Sequence, residues 1–156
     1  MIRFAEPTDV PTLLALVREL AEYEHAADQV AASEAQLAEA LFGPKPAAEA
    51  LIAEQDGRAV GLALFFHNFS TWTGRRGLYL EDLYVQPEAR GAGIGKALLK
   101  RLAEIAVARG CARFEWAVLE WNQPAIDFYR AMGAEMMDEW RICRVTGDAL
   151  TALARR

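Results

Sequence analysis

The sequence has few of the residues that build disulfide-stapled or metal-bound folds. Among 156 residues there are two cysteines and two histidines. Cys111 and Cys143 each lie in an apolar segment rather than in a spaced pair, and His25 and His67 are far apart. These spacings favour two buried thiols over a disulfide framework or a zinc site. We therefore expect no metal in this protein.

Long apolar runs and an excess of basic residues are also missing. No stretch approaches the ~18 apolar residues that span a bilayer, and the start, "MIRFAEPTDV", lacks the basic-then-apolar pattern of a signal peptide. The net charge of −5 makes nucleic acid a poor partner. We expect a cytoplasmic protein with no membrane and no nucleic-acid partner, folded as a single domain over residues 1–156.

The charge is unevenly distributed along the chain. Residues 1–84 contain 6 basic and 13 acidic side chains, whereas residues 85–156 contain 11 and 9. A cationic ligand would be attracted to the first part and an anionic ligand to the second, although a solvated acidic surface produces the same bias.

Hydrophobic periodicity and turn residues predict an α/β (α+β) protein with a mixed sheet and helices packed on it. Asp56–Gly57 is a hairpin signal, and Ser33 with Gln36 has capping-box spacing. Residues 70–77 are expected to form a loop. The predicted strands are 1–5, 49–54, 59–69, 78–85, 112–119 and 139–147, and the predicted helices cover about 9–23, 34–42, 94–109 and 124–132.

The segment "RGAGIG" at 90–95 lies between a predicted strand and a predicted helix. Its glycines are spaced two and two, which does not fit the dinucleotide fingerprint, and Arg90 occupies the position of the first glycine of a nucleotide-triphosphate loop. The remaining pattern is Arg-x-x-Gly-x-Gly. Successive N–H groups at a helix start can hold a pyrophosphate, with Arg90 and Lys96 adding positive charge. A ligand-free strand-to-helix turn is the alternative.

Two longer segments carry a family resemblance. "VQPEARGAGIGKALLKRL" resembles the acetyl-CoA-binding motif of the GNAT superfamily of acetyltransferases, and "EWNQPAIDFYRAMGA" resembles its later motif. "ELAEYE", "LYLEDLYV" and "EWR" are similar to segments of the spermidine/spermine (diamine) and thialysine N-acetyltransferases. The resemblance covers nearly the whole chain. It implies a GNAT-like, mainly antiparallel sheet, acetyl-CoA as co-substrate, and acetyl transfer to a primary amine of a polyamine or lysine-like molecule.

The resemblance also implies which residues hold coenzyme A. The strand before the glycine segment would present backbone groups to the pantetheine arm, as an added strand would. Asn122 resembles a contact to that arm, although an N-cap is an equally physical reason for it. The expected cofactor-binding residues are Leu83, Tyr84, Val85, Arg90, Gly91, Ala92, Gly93, Ile94, Gly95, Lys96, Asn122, Pro124 and Tyr129.

The reaction requires an unprotonated amine, and amines have pKa values near 10 in water, so a base is useful. Strict alternation along "LYLEDLYV" predicts that Glu81 and Asp82 point to opposite faces, with Asp82 on the face of Leu80 and Tyr84. By resemblance, Glu81 is the general base, acting through water, and Asp82 attracts the cation. A structural ion pair is the alternative for Glu81.

By resemblance, Tyr129 donates a proton to the departing sulfur; ring packing in the core is the alternative. Tyr23, Glu24 and Trp140 match substrate-pocket positions beside Glu81 and Asp82. An acid with aromatic walls suits an alkylammonium chain. The resemblance further implies a homodimer with the substrate pocket near its interface.

Two other functions stay open at this point. The chain could acetylate a protein lysine or N-terminus, which would favour an open acidic groove. It could also be a CoA-binding sensor without turnover, although Glu81, Asn122 and Tyr129 together argue against that. No covalent enzyme intermediate is expected, because neither cysteine lies at the motif.

Overall fold

The computed structural model describes residues 1–156. The chain divides into two compact units, Met1–Ala117 and Val118–Arg156. None of its helices combines the length and the apolar composition that crossing a bilayer requires.

The first unit is built on a five-stranded sheet whose strands follow one another in chain order. Neighbouring strands are antiparallel except for the last pair, which is parallel. The mixed, mainly antiparallel sheet with helices is therefore confirmed. The strands are β1 (Ile2–Phe4), β2 (Glu49–Gln55), β3 (Arg58–Ser70), β4 (Arg75–Val85) and β5 (Phe114–Trp116).

The turn between β2 and β3 confirms the predicted hairpin. Asp56 and Gly57 have φ values of 52° and 74°. Two successive left-handed residues are the geometry of a type I′ turn, whose twist matches that of the flanking strands.

Three helices belong to the first unit: α1 (Val10–Tyr23), α2 (Glu34–Phe42) and α3 (Ile94–Ala108). The predicted capping box is present, because Ser33 Oγ accepts from the Gln36 N–H and Gln36 Oε1 accepts from the Ser33 N–H. Leu13, Leu16 and Leu20 recur at helical spacing on α1 and pack into a core cluster with side chains of α2, β2 and β3.

Successive side chains of β3 point to opposite faces of the sheet. Leu62 and Leu64 belong to the cluster under α1 and α2. Phe65 points to the other face, where the guanidinium of Arg109, at the end of α3, lies 5.8 Å from its ring centre. We refer to these as the α1 face and the α3 face.

Several predicted boundaries are wrong in the first unit. β4 begins at Arg75 rather than at 78, so the loop expected over 70–77 is shortened to residues 71–74. Cross-strand pairing explains the earlier start of β4. Ser70 pairs with Arg75, so polar residues at the end of the hairpin also form part of the sheet. β5 covers Phe114–Trp116 instead of 112–119.

The second unit contains α4 (Gln123–Ala131) and α5 (Gly147–Ala154). The strand predicted over 139–147 is wrong, since those residues form no strand and Trp140 and Ile142 are 64% and 75% exposed. Alternating apolar residues become a strand only beside another strand. The helix α5 was not predicted, although "DALTALA" is rich in helix-forming residues.

Candidate active site

The glycine segment forms the start of α3. Gly91 and Gly93 have φ values of 88° and 78°, which side chains rarely tolerate. A Cβ added to either would meet no atom within 4 Å, so open space adjoins both. Gly93 is the N-cap and supplies no capping side chain. The first N–H groups of a 15-residue helix therefore face outward without a side-chain partner.

This helix start has the chemistry of an anion site. Uncapped N–H groups and the positive end of the helix dipole favour a pyrophosphate. Gly91 and Ala92 form the turn, Ile94 begins the helix, and the exposed Lys96 lies in its first turn. The residues present therefore fit the diphosphate of coenzyme A.

Contacts with Val85, Tyr23 and Tyr84 direct the side chain of Arg90 toward α1. Its Nε donates to the Val85 carbonyl at 2.9 Å. Its guanidinium lies 5.4 Å from the Tyr23 ring centre and 5.7 Å from that of Tyr84. Direct contact of its charge with a pyrophosphate stays a prediction; the contacts in the structure join the glycine turn to α1 and β4.

The edge of β4 next to the glycine turn is open toward β5. The two strands pair only from Leu78 to Leu80, with partners Phe114 to Trp116, where β5 ends. β4 continues to Val85. Leu83 and Val85 are half-buried and Tyr84 is buried. This unpaired edge fits an extended ligand arm that bonds to backbone groups.

A β-bulge at Glu81 overturns the predicted alternation. Leu64 pairs with Asp82, whereas the next residue, Phe65, pairs with Leu80, so Glu81 has no partner. Asp82 consequently shares the α1 face with Tyr84, while Leu80 lies on the α3 face. The prediction that Leu80 and Asp82 share a face is wrong, because one extra residue shifts the two-residue period. Bulges often lie beside active sites.

Carboxyl groups from two elements converge at this bulge. Burial, and then the negative charges of Glu81 and Glu24, raise the pKa of Asp82 to about 6. Burial also raises the pKa of Glu24, which directly follows α1. Glu81 itself is exposed. The structure thus brings Tyr23, Glu24, Glu81 and Asp82 to the same end of the first unit.

Gln86, directly after β4, was missed by sequence reasoning. Its Nε2 donates to the carboxylate of Glu19 at 3.2 Å, but its buried Oε1 has no hydrogen-bond partner. Buried acceptors are rarely left without a donor. We therefore add Gln86 to the candidate site; no sequence motif singles it out.

The remaining candidate residues belong to the second unit. Asn122 precedes α4 and is buried, but its side chain makes no capping bond to the helix. Asn122 thus occupies the N-cap position of α4, but its side chain does not cap the helix. Pro124 lies in the first turn, and Tyr129 is half-buried with its ring centre 5.6 Å from that of Phe128. Trp140 lies in the irregular segment before α5.

No group of three or more His, Cys, Asp or Glu side chains in the structure has the arrangement needed to hold a metal ion.

Comparisons with known proteins agree with this geometry. The model of the acetyltransferase (GNAT) family matches residues 13–134. Thialysine N-epsilon-acetyltransferase of Sus scrofa is 43% identical over 99% of this chain and 96% of its own length. Spermidine/spermine N(1)-acetyltransferase-like protein 1 of Homo sapiens is 36% identical over 98% of this chain, but over 23% of its own length.

Solved structures agree as well. An integron cassette protein from V. cholerae superposes with a TM-score of 0.83 at 31% identity, covering 100% of this chain and 98% of that protein. The uncapped glycine helix start and the open strand edge agree with the matching family model and with the full-length relatives. The chain therefore belongs to the GNAT family of acetyltransferases.

Proposed function

We propose that this protein transfers acetyl directly from acetyl-CoA to the primary amine of a small polyamine or lysine-like molecule. The observation that carries the proposal is the proximity, at one end of β4, of an uncapped helix start and a group of carboxyl side chains. The first suits the diphosphate of coenzyme A, and the second suits an alkylammonium. The relatives named for thialysine and for spermidine/spermine support an amine as acceptor.

The geometry of the first unit supports the following binding roles. The N–H groups after Gly93 hold the diphosphate, and the free edge of Leu83–Val85 hydrogen-bonds the pantetheine arm. When bound, acetyl-CoA supplies the activated thioester carbonyl. Tyr23, Glu24 and Asp82 surround the amine, and Trp140 is retained as a substrate residue by resemblance. Asn122 and Pro124 are likewise retained as contacts to coenzyme A.

The proton transfers are assigned to two side chains. Glu81 accepts, through water, the proton that the ammonium must lose before its lone pair can attack. The C–N bond forms as the C–S bond breaks, and Tyr129 donates a proton to the departing sulfur. The second proton of the amine passes through water to the Tyr129 phenolate, and Glu81 releases the first to solvent. One proton is released overall. No residue becomes acetylated, so the cysteines have no part in the transfer.

Assembly and location are proposed on the resemblance and composition alone. We infer a homodimer, a cytoplasmic protein, and one catalytic domain over residues 1–156. Sedimentation equilibrium across a concentration series tests the homodimer, and a monomer at all concentrations would contradict it.

One assay tests the function. CoA release is measured with thialysine, spermidine and a lysine peptide, and we expect turnover with the small amines. Preference for the peptide would indicate a protein lysine or N-terminal acetyltransferase. Tight CoA binding without turnover on any amine would indicate a sensor.

A further inference from the structure

The side chain of Gln86 joins the end of β4 to α1. Its backbone N–H donates to the Val60 carbonyl at 2.8 Å, which extends the pairing of β4 with β3 by one residue. Its Nε2 lies 3.2 Å and 3.3 Å from the two carboxylate oxygens of Glu19, on α1. Gln86 is therefore fixed to the sheet through its main chain and to the helix through its side chain.

The amide of Gln86 has one favourable orientation in this contact. The carboxylate of Glu19 accepts hydrogen bonds and donates none, so it binds the NH₂ group and repels Oε1. Oε1 is then buried with no hydrogen-bond partner. Buried acceptors of this kind are rare, and each reduces stability. The contact is thus poorly suited to stabilising the fold, which indicates a different purpose.

The same contact restricts how α1 can move over the sheet. Leu16 and Leu20 of α1 pack with Tyr84 in the core cluster. Apolar burial is non-directional, so this packing is less sensitive to a small slide of the helix than a hydrogen bond, which depends on distance and angle. The bond between Gln86 and Glu19 therefore sets the position of α1 relative to β4.

Both partners lie next to residues of the proposed site. Glu19 and Tyr23 share a face of α1, because four residues separate them. Glu24 follows Tyr23 at the end of the helix. Gln86 directly follows Val85, where the free edge of β4 is proposed to bind the pantetheine arm. The pair of Gln86 and Glu19 thus connects the elements that carry the expected amine site and the expected thioester site.

A glutamine holds the carboxylate of Glu19 without cancelling its charge. A lysine or arginine at position 86 would form an ion pair with it, but none of the ion pairs in the structure involves Glu19. Because the amide is neutral, the negative charge stays available to attract an ammonium. The contact fixes the helix and preserves the acidic character of the acceptor side.

We propose that Gln86 is a positioning residue of the transfer reaction: by binding Glu19 it holds the end of α1, and with it the acceptor amine, at reacting distance from the thioester. The inference rests on the proposed function, because it assumes that the amine binds at the end of α1 and acetyl-CoA along β4. Reacting atoms must approach to about 3–3.5 Å, and a displacement of about 1 Å can reduce the rate roughly 10²-fold.

Reversal of the pair tests the proposal. In Gln86→Glu two carboxylates face and repel each other, so α1 should shift away from β4. We expect kcat/KM for thialysine to fall roughly 10- to 100-fold, while the Kd for CoA, measured by calorimetry, changes less than about twofold. The double variant Gln86→Glu/Glu19→Gln restores an amide–carboxylate hydrogen bond in the opposite sense, with the original net charge. Its kcat/KM should recover to within about threefold of that of the unsubstituted protein.

Gln55→Glu is the matched control. Gln55 is exposed on β2, and β3 separates it from β4. The same substitution there should change neither kcat/KM for thialysine nor the Kd for CoA. Retained CoA affinity in Gln86→Glu shows that this variant is folded.

Three results would overturn the role of Gln86. These are an unchanged kcat/KM in Gln86→Glu, a double variant as impaired as Gln86→Glu, and a parallel loss of CoA affinity and kcat/KM, which would indicate general loss of structure. In each case acetyl transfer by the unsubstituted protein leaves the proposed function intact. Absence of transfer to every amine by the unsubstituted protein would refute the proposed function, and the role of Gln86 with it.

Discussion

The guanidinium of Arg90 lies 5.4 Å from the centre of the Tyr23 ring and joins the glycine turn of the cofactor site to the end of α1. Since Glu24 follows Tyr23 directly, the same contact connects the expected cofactor site with the carboxyl groups that are expected to hold the amine. We therefore expect Arg90 to position both sites.

Arg90→Gln should consequently weaken both substrates. It removes one hydrogen bond to Val85 and two cation–π contacts, together worth about 1–2 kcal/mol at an exposed site. We expect KM to rise roughly 5- to 30-fold for acetyl-CoA and for the amine, with kcat less affected. Initial-rate kinetics measure this. A rise for acetyl-CoA alone would mean that Arg90 acts only on the phosphate side.

Gly93→Ala should weaken coenzyme A binding. A Cβ at a φ of 78° costs about 1–2 kcal/mol, and relief of that strain would rearrange the N–H groups that are expected to hold the diphosphate. Gly57→Ala is a matched control, because Gly57 has a φ of 74° and equally open surroundings. Both variants should lose similar thermal stability, but calorimetry should show a weaker Kd for CoA only with Gly93→Ala. Equal affinities would place the diphosphate elsewhere.

Asp82 should make the protein less stable as the pH rises. Its pKa of about 6 in the folded state lies above the ordinary aspartate value of 3.8, so the folded state binds the proton more tightly between these values. The free energy of unfolding therefore falls from about pH 4 to pH 6, and the full cost remains above pH 6.

Asp82→Asn should remove that cost, and with it the charge that attracts the amine. We expect Tm above that of the unsubstituted protein at pH 8, by an amount corresponding to about 1–3 kcal/mol, and no difference near pH 4. The exposed Asp138→Asn is the control. A Tm difference that does not vary with pH would show that Asp82 is not buried with a raised pKa.

Tyr129→Phe should depress kcat far more than affinity for acetyl-CoA. Loss of a general acid typically costs 10²–10⁴-fold, whereas the ring and its packing on Phe128 are retained. Single-turnover kinetics and CoA calorimetry separate the two effects. An unchanged kcat would remove the acid role.

Glu81→Gln should change the pH dependence of kcat/KM if Glu81 is the base. The adjacent Asp82 is the alternative base, since burial raises its pKa to about 6. An unaltered pH profile in Glu81→Gln, with an altered one in Asp82→Asn, would transfer the role to Asp82.

Local sequence signals predicted most of the fold. The hairpin at Asp56–Gly57 and the helix start at Ser33 depend on neighbouring residues, and both form as predicted. The strand expected over 139–147 depended on a partner that the sequence does not reveal. Its alternating apolar residues therefore misled the prediction.

The sequence by itself determined the glycine turn and the family motif that contains it. Glycine adopts the left-handed angles at positions 91 and 93 without the strain that a side chain would cause. Tertiary structure alone decided which face of the sheet Glu81 and Asp82 point to and which groups surround them. The bulge at Glu81 follows from pairing with β3, and the raised pKa of Asp82 follows from burial beside α1. Such long-range contacts have no signature in local sequence.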